Sequence, residues 1–287
     1  MRVSPANRRK RIQQFGFWSL SLIALLTVIP IVLIVTYIYA QGLPGVSVEF
    51  LTAMPRDGMR AGGIFPAIIG TLWLTLGTAV IAVPLGVGAA IYLSEYAPDN
   101  RWTRVIRIAI INLAGIPSVV YGLFGLGLFV LFLQFGTSIL AGSLTLAIMT
   151  IPVIISTSEE AIRAVPSSFR VVSVSLGGTK WQTIRKVVLP QALPGILTGV
   201  ILGLERAAGE TAPILFTVAS FFLPRLPASL FDATMALPYH LFVISTQVPG
   251  MPIQIQYGTA VVLLTFVLGM NLIATVIRSR ARAKRQW

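Results

Sequence analysis

Residues 108–158, IAIINLAGIPSVVYGLFGLGLFVLFLQFGTSILAGSLTLAIMTIPVIISTS, form a run of 51 residues without a charged side chain. An α-helix needs roughly 20 apolar residues to cross a bilayer, so this run is long enough for two crossings. Its small and polar residues cluster near the middle, at Gly136, Thr137, Ser138 and Gly142. Because that composition favours a turn, the stretch predicts two membrane-spanning helices joined by a hairpin near 134–142.

The rest of the chain is equally poor in charge. Only 11% of the 287 residues are charged and 55% are hydrophobic, whereas an average soluble domain has about 25% charged residues. Further charge-free runs cover 12–48, 61–94 and 233–277. The pattern predicts an all-α, polytopic membrane protein with a single transmembrane domain over 17–277. We expect six transmembrane helices, at about 17–40, 64–93, 106–133, 140–158, 194–222 and 257–277.

The composition also excludes several kinds of site. The chain has no cysteine, so it cannot form a disulfide, a zinc–thiolate site or an iron–sulfur cluster. A single histidine, His240, excludes a multi-histidine metal site, and we expect neither metal nor cofactor. The motifs Gly-x-x-x-x-Gly-Lys-Ser/Thr, His-Glu-x-x-His and Gly-x-Ser-x-Gly are all missing. We therefore expect a chain that does not hydrolyse ATP itself and that is not an enzyme.

The basic residues indicate the orientation in the membrane. Eighteen of the 22 Lys and Arg residues lie in four segments that the six-helix topology places on one side, namely 1–16, 94–107, 159–193 and 278–287. Only Arg56, Arg60 and Arg225 fall on the other side. Positive loops face the cytoplasm, so both basic tails, 1–16 and 278–287, are predicted to be cytoplasmic. Charge divided among membrane-flanking segments does not make a nucleic-acid-binding surface, and we expect no nucleic-acid partner.

Two segments allow a second interpretation. The first apolar stretch follows a basic cluster at 8–11, as in a signal peptide. It is longer than the roughly 7–15 residues of a signal peptide's hydrophobic region, so we interpret it as a retained membrane anchor. Residues 229–248 are apolar enough for a seventh span. A seventh span would export the basic C-terminal tail. We therefore expect an outer-face excursion with a short helix, in which His240 is an ordinary interfacial residue.

The 159–193 loop has helix signals of its own. Ser167 or Ser168 is expected to cap a first helix that ends at Gly177-Gly178. The apolar face of this helix comprises Phe169, Val172 and Leu176.

A second helix in this loop begins with a capping-box pattern, Thr179-x-x-Gln182. Its apolar stripe comprises Trp181, Ile184, Val187 and Val188, and Pro190 and Pro194 are expected to end it before the fifth span. Such a helix–Gly–helix element serves either as a docking lever for a soluble partner or as an amphipathic hairpin on lipid headgroups, and the pattern leaves both open.

Charged residues interrupt the fifth predicted span at Glu205, Arg206 and Glu210. Arg206 and Glu210 are four residues apart, so they share a helix face and can pair, whereas Glu205 points away, nearer a water-accessible boundary. Pro213 is expected to open the helix one turn beyond Arg206. The motif fits two roles. In a substrate path, Arg206 binds an anion and Glu210 weakens that binding so that the anion can be released; in a structural role, the two residues form an ion pair that holds helices together.

Small residues repeat every four positions in the same span, at Gly195, Gly199, Gly203 and Ala207. This spacing places them in one ridge along the helix. Because small side chains let backbones approach closely, the ridge predicts tight packing of another helix.

The loop resembles the cytoplasmic loop of ATP-binding-cassette (ABC) importer permeases. That family pattern is Glu-Ala-Ala, three residues, Gly, nine residues, Ile, one residue and Leu-Pro. Here Gly177, Val187, Leu189 and Pro190 occupy the later positions, while residues 171–173 are Val-Val-Ser in place of Glu-Ala-Ala. The resemblance implies that the loop couples the permease to an ATPase through Phe169, Val172, Leu176, Gly177, Gly178, Trp181, Leu189 and Pro190.

Two further segments look like phosphate-transporter permeases of the PstA type. They are GIPSVVYGLF at 115–124 and RAAGETAP at 206–213. The resemblance implies the type I ABC importer permease fold and import of inorganic phosphate. It also implies three protein partners: a second homologous permease of the PstC type, an ATPase of the PstB type and an extracytoplasmic phosphate-binding protein of the PstS type. Sulfate or molybdate as substrate, and a self-sufficient secondary anion transporter, remain alternatives.

Overall fold

The computed structural model describes the backbone of residues 5–283, and nearly all of it is helical. The helices are α1 Pro5–Gly42, α2 Val48–Thr52, α3 Phe65–Ile91, α4 Arg101–Ala114, α5 Ser118–Gly125, α6 Ile139–Arg163, α7 Ser167–Ser175, α8 Lys180–Thr183, α9 Leu189–Gly209, α10 Ala212–Thr217, α11 Leu237–Thr246 and α12 Ile253–Ala283. Wider π-helical turns follow α3, α5 and α8, over Tyr92–Tyr96, Leu126–Phe132 and Ile184–Val188, and a short 3₁₀ turn, Leu43–Gly45, follows α1. Two short antiparallel strands, β1 Pro55–Arg56 and β2 Ala61–Gly62, flank a second 3₁₀ turn, Asp57–Met59, with Pro55 opposite Gly62.

Five helical segments within the described residues are long and apolar enough to cross a membrane. The bent pair Arg101–Ala114 and Ser118–Phe132 makes a sixth when it is counted as one span. The prediction of an all-α, polytopic membrane fold is therefore confirmed. The predicted basic tails are helical where they are described, because α1 begins at Pro5 and α12 ends at Ala283, while residues 1–4 and 284–287 lie outside the described residues.

α6 is the central helix of the bundle, and α3, α4, α5, α9 and α10 all pack against it. Ser138 caps its start, since the side-chain oxygen accepts a hydrogen bond from the Ala141 amide at 3.2 Å. Most of the α6 side chains are buried, among them Leu146, Met149 and Ile154. The N-terminal helix α1 lies at the periphery and packs on α12, with the Tyr39 hydroxyl 2.9 Å from the Thr265 hydroxyl.

The third span differs from the single helix predicted over 106–133. α4 and the segment Ser118–Phe132 meet at an angle of 98°. Pro117 causes the break, because it lacks an amide hydrogen and holds the preceding residue away from helical geometry. The Tyr121 hydroxyl donates a 2.7 Å hydrogen bond to the Leu113 carbonyl, which also accepts a 3.1 Å bond from the Ile116 amide, so this carbonyl at the break has two donors.

The prediction that Pro190 and Pro194 end the second loop helix is wrong. The helix continues from Lys180 to Gly209 as one apolar segment, and Pro194 lies inside α9. A π-helical turn, Ile184–Val188, precedes Pro190, which occupies the first turn of α9. The π-helical turn widens the hydrogen-bond ladder immediately before Pro190, so the helix passes this proline without ending although the proline supplies no amide hydrogen.

The fifth span also ends earlier than the predicted 222. α9 stops at Gly209, and Glu210 has an extended backbone before α10 begins at Ala212. Residues beyond α10 run without regular helix as far as α11.

The 229–248 segment contains the predicted short helix, α11, but it is not a superficial excursion. Thr234, Met235, Ala236 and Leu237 are almost completely buried. The Leu237 amide donates a 2.8 Å hydrogen bond to the Thr71 hydroxyl of α3. A side chain at Gly70 would collide with the Met235 carbonyl, so the absence of a side chain there lets this segment enter the bundle.

Candidate substrate path and loop site

Arg206 and Glu210 form an ion pair at the end of α9. The Arg206 Nε lies 3.2 Å from the Glu210 Oε1, and the side chains are 35% and 16% exposed. The pair therefore joins the last turn of the helix to the first residue beyond it. About a third of the Arg206 side chain is accessible while Glu210 is largely covered, so the more exposed charge at this point is positive.

Two helix breaks meet beside this ion pair. The break at 115–117 starts α5, and the break at 210–211 starts α10, whose second residue is Pro213. A Cβ on Gly122 of α5 would lie only 3.0 Å from the Ala212 carbonyl oxygen and the Pro213 Cα, so the two segments pack backbone against backbone. Tyr121 lies close enough to Arg206 to interact with it electrostatically. The structure thus brings Arg206, Glu210 and Pro213 together and adds Tyr121 and Gly122.

Glu205 is intermediate in exposure and faces α12. It hydrogen-bonds the Asn271 side chain of α12, and its Oε1 is buried with no hydrogen-bond partner among the described residues. This carboxyl group therefore faces protein, as expected for a polar group at membrane depth.

The small-residue ridge on α9 faces α6. A Cβ on Gly195 would contact Ala161, and one on Gly199 would lie 2.7 Å from the Thr157 Cβ. At Gly203 the nearest atom would be the Ile154 Cγ1 at 3.0 Å, and Ala207 is 4% exposed. The structure therefore places the ridge in the tight contact between α9 and α6.

The first helix of the 159–193 loop, α7, starts without the predicted serine cap. Pro166 occupies the N-cap position, and no side chain caps the helix. The end of the helix is at the predicted glycines. Gly177 has a φ of +82°, and the Gly178 amide donates a 3.0 Å hydrogen bond to the Ser173 carbonyl. A left-handed residue at this position is the usual way to close a helix, and glycine adopts it without strain.

The second helix begins with the predicted capping box. The Gln182 amide donates to the Thr179 hydroxyl at 3.2 Å, and the Thr179 amide donates to the Gln182 Oε1 at 2.9 Å. The two loop helices are joined by a 2.8 Å hydrogen bond between the Ser173 and Thr183 hydroxyls. The prediction of a helix–Gly–helix element is confirmed, and its turn has a defined geometry.

A groove of about 590 Å³ lies between these two helices. Its lining includes Phe169, Val172, Leu176 and Gly178 together with Gln182, Lys186 and Val187. Leu176 is 83% exposed, and Val172 and Trp181 are more than half exposed. Ile184 and Val188 are buried, while Leu189 and Pro190 are half-buried. The loop thus presents an apolar surface without covering it by its own packing.

Sequence comparison identifies the family. The profile of the family described as "binding-protein-dependent transport system inner membrane component" matches residues 82–283. The chain belongs to this family. The match covers the permease from the middle of α3 to the end of α12, and it includes both the helix breaks and the 159–193 loop.

Several curated relatives resemble the permease over most of its length. It is 37% identical to the phosphate transport system permease protein PstA 1 of Mycobacterium tuberculosis over 79% of this chain and 73% of the relative. The phosphate transport system permease protein PstA of Mycobacterium leprae is 35% identical over 96% of this chain and 92% of the relative. The probable ABC transporter permease protein YqgI of Bacillus subtilis is also 35% identical, over 83% and 85%.

Solved structures with low sequence identity share the fold. A bacterial ABC transporter that imports the acidic polysaccharide alginate has a chain that matches with a TM-score of 0.67 at 14% identity, over 95% of this chain and 99% of that one. The inward-facing MetNI methionine ABC transporter matches with a TM-score of 0.61 at 18% identity, over 75% and 94%. The permease therefore has the type I ABC importer permease fold.

The permease also contains charged contacts that sequence patterns did not reveal. The Arg170 Nη2 lies 2.6 Å from the Glu95 Oε1, and the Arg107 Nε lies 2.8 Å from the Glu159 Oε1. Arg163 adds a second contact to Glu159, at 3.0 Å. Only this last pair has helical i,i+4 spacing. The others join residues at least 52 positions apart, so no local periodicity predicts them.

His240 is a buried residue of the permease rather than an interfacial one. It is 2% exposed, and neither ring nitrogen has a hydrogen-bond partner among the described residues. Burial lowers the pKa of His240 from 6.5 to about 4, because the charged form is poorly solvated there. α11 lies outside the candidate membrane spans, and its histidine is neutral at physiological pH.

Proposed function

We propose that this permease is the PstA-type subunit of an ABC importer that moves inorganic phosphate into the cytoplasm. The observation that carries the proposal is Arg206, a partly exposed cation at the junction of two broken helices, in a chain that is 37% identical to a phosphate transport permease. An arginine fork matches the geometry of a tetrahedral oxyanion, and broken helices beside a charge are a common transporter arrangement.

The ion pair suits transport better than permanent binding. A bare arginine at membrane depth would hold an anion tightly, and Glu210 at 3.2 Å competes with the anion for the guanidinium. An anion that displaces Glu210 gains the arginine contact, and the returning carboxylate favours release. In this mechanism Arg206 and Glu210 act together, while Pro213, in the first turn of α10, has no amide hydrogen with which to continue α9 through the Gly209 carbonyl.

The energy for transport comes from a separate ATPase. The chain has no Gly-x-x-x-x-Gly-Lys-Ser/Thr motif with which to bind ATP. The groove of the 159–193 loop provides an apolar binding surface for another protein on the predicted cytoplasmic side. We propose that this loop couples to a PstB-type ATPase through the groove and the exposed Leu176 and Trp181. Exposed Val171 stands where the family pattern has glutamate, so this contact is apolar here.

The remaining partners follow from the same proposal. A second permease of the PstC type completes the translocation path, and a PstS-type protein delivers phosphate from outside the bacterial inner membrane. The 18 basic residues on one predicted side support cytoplasmic placement of both termini.

Reconstitution of the permease with its co-expressed partners in liposomes tests the substrate. We expect ATP-dependent accumulation of labelled phosphate. An excess of unlabelled phosphate should abolish this accumulation, and the same concentration of sulfate or molybdate should not change it. A complex without the ATPase should show no accumulation. ATP-dependent uptake of sulfate or molybdate in place of phosphate would overturn the substrate, and phosphate uptake without an ATPase would establish a secondary transporter.

A further inference from the structure

Glu95 ties the end of the second span to the first helix of the 159–193 loop. Its Oε1 accepts hydrogen bonds from the Arg170 Nη2 at 2.6 Å and Nε at 3.1 Å. Arg170 also donates to two carbonyl groups at the end of the fourth span, those of Val165 at 2.7 Å and Ile162 at 3.0 Å. The Glu95 side chain is only 9% exposed, so solvent has little access to the pair.

Tyr96, the next residue, contacts the other helix of the loop. The Lys180 Nζ lies over its ring at 4.7 Å from the centroid, within the range of a cation–π interaction. Lys180 is the first residue of α8, whereas Arg170 belongs to α7. Two adjacent residues at the end of one span therefore hold one loop helix each.

The surrounding contacts make the same region stiff. The Ser173–Thr183 hydrogen bond joins the two loop helices to each other, and Arg107 donates to the Leu93 carbonyl at 2.8 Å just before Glu95. The π-helical turn Tyr92–Tyr96 shifts the register of the second span where it presents these side chains.

We propose that Glu95 and Tyr96 are positioning residues that make the loop and the second span one rigid body, so that movement of the loop by an ATPase is passed directly to that span. This inference rests on the proposed role of the loop as the ATPase contact. It concerns how force is transmitted, and it does not depend on which anion is carried.

The geometry favours a permanent link over a switch. Arg170 directs its donors at a carboxylate of the second span and at carbonyls of the fourth, and separating it from Glu95 would leave a carboxylate that is only 9% exposed without this cation. The second pair at the same point is a cation on an aromatic ring, which adds an independent contact to the other loop helix. Because two nitrogens of the Arg170 guanidinium bond the Glu95 carboxylate, the contact fixes the relative orientation of the two side chains as well as their separation.

Spin labels on the assembled complex test the link. The chain has no cysteine, so Leu85→Cys on the second span and Val174→Cys on α7, both more than half exposed, give one label pair when the partner subunits are used as cysteine-free variants. Electron–electron distances are measured without nucleotide and after trapping with ATP and vanadate. We expect one narrow distance that is the same in both states. A distance that changes on trapping in the unmodified background would overturn the rigid-body proposal.

Three variants carry the same label pair. Glu95→Gln and Arg170→Lys are expected to lose the single narrow distance after trapping, and to hydrolyse more ATP for each anion moved. Tyr96→Leu, which leaves the buried ion pair intact, should broaden the distance less. Glu49→Gln is the matched control, because the Glu49–Arg56 pair is exposed on both sides and lies outside the loop contacts.

Each outcome decides the proposal. If Glu95→Gln and Tyr96→Leu both keep the narrow distance, these residues do not position the loop. If the distance broadens and the ATP used per anion stays constant, they do not transmit force. Absence of phosphate uptake in the parent complex would overturn the proposed substrate and not the rigid-body link, since the label distances that test the link are measured without any anion.

Discussion

The Arg206 Nε reaches across the end of its own helix to the Glu210 Oε1, 3.2 Å away. The two residues have helical i,i+4 spacing, yet Glu210 has already left the helix, with φ −74° and ψ 135°. The pair therefore bridges a helix end rather than lying along a helix face. A contact of this kind can open by rotation at one residue, without unwinding α9.

Arg206→Gln is expected to reduce phosphate uptake by at least about tenfold, which corresponds to about 1.4 kcal/mol. The substitution removes the positive charge that offsets the transfer of an anion through a low-dielectric region. The measurement is labelled phosphate uptake in proteoliposomes, normalised to the amount of complex and to bound ATPase.

The double variant Arg206→Gln with Glu210→Gln separates the two roles of the pair. A structural pair predicts recovery, because both charges are lost together and no buried charge remains alone. A substrate role predicts that the assembled double variant stays inactive. Recovery of uptake would leave Arg206 a structural residue.

Gly177→Ala is expected to weaken coupling although there is space for the new methyl group. A Cβ at Gly177 would meet no atom within 4 Å, but its φ of +82° lies in the left-handed region, where a side chain costs roughly 1–2 kcal/mol. The turn between α7 and α8 should therefore relax and displace the groove. The measurement is ATP hydrolysed per phosphate moved. Gly127→Ala has equal space and no positive φ, so it should behave as the parent.

Gly199→Val is expected to destabilise the permease by about 1–3 kcal/mol, as overpacking does in tight cores. A Cβ there would lie 2.7 Å from the Thr157 Cβ of α6, and valine adds two further methyl groups. Thermal unfolding of the purified chain measures the effect. Gly88→Val on α3 is the matched control, since a Cβ at Gly88 meets nothing within 4 Å. Equal midpoints for the two variants would contradict tight packing at the ridge.

The sequence predicts an all-α membrane fold because bilayer crossing depends on the average hydropathy of long stretches. The predicted helix at 140–158 corresponds to α6, and the glycine turn at 177 is where the local pattern puts it. The spacing of Arg206 and Glu210 also predicted that the two can pair, although the shared helix face assumed in that prediction ends at Gly209.

Features that depend on tertiary structure were not predictable in the same way. The span that contains Pro117 bends by 98°, whereas Pro194 lies inside the continuous helix α9. The presence of a proline in the sequence therefore does not predict whether the helix breaks. Glu95 and Arg170 are 75 positions apart, so only the packed bundle reveals them as partners. The burial of 234–237 also depends on Gly70, from a different helix.

Cysteine labelling tests the proposed orientation. Leu176→Cys is highly exposed in the loop and should react only when the reagent enters the cytoplasm. Gly58→Cys, in the turn between β1 and β2, should react with an impermeant maleimide added outside intact cells. The reason is the distribution of basic residues, 18 of which lie on the side that carries the loop. Outside labelling of Leu176→Cys would reverse the orientation.

The only histidine of the chain gives a pH dependence that one substitution can isolate. Burial lowers the pKa of His240 to about 4 in the folded state, against 6.5 when exposed. Below about pH 6.5 His240 therefore binds a proton in the unfolded chain but stays neutral in the folded chain. The stability from this group is complete above pH 6.5 and is lost as the pH falls toward 4.

We expect the parent permease to lose about 2 kcal/mol of stability between about pH 7 and pH 5, since one pKa unit corresponds to about 1.4 kcal/mol. His240→Leu should remove most of this slope. It also removes two ring nitrogens that have no hydrogen-bond partner within the described part of the chain, so it should not lower stability at pH 5. Denaturant unfolding at several pH values measures both effects. The same slope in parent and variant would mean that His240 is solvated in the folded protein.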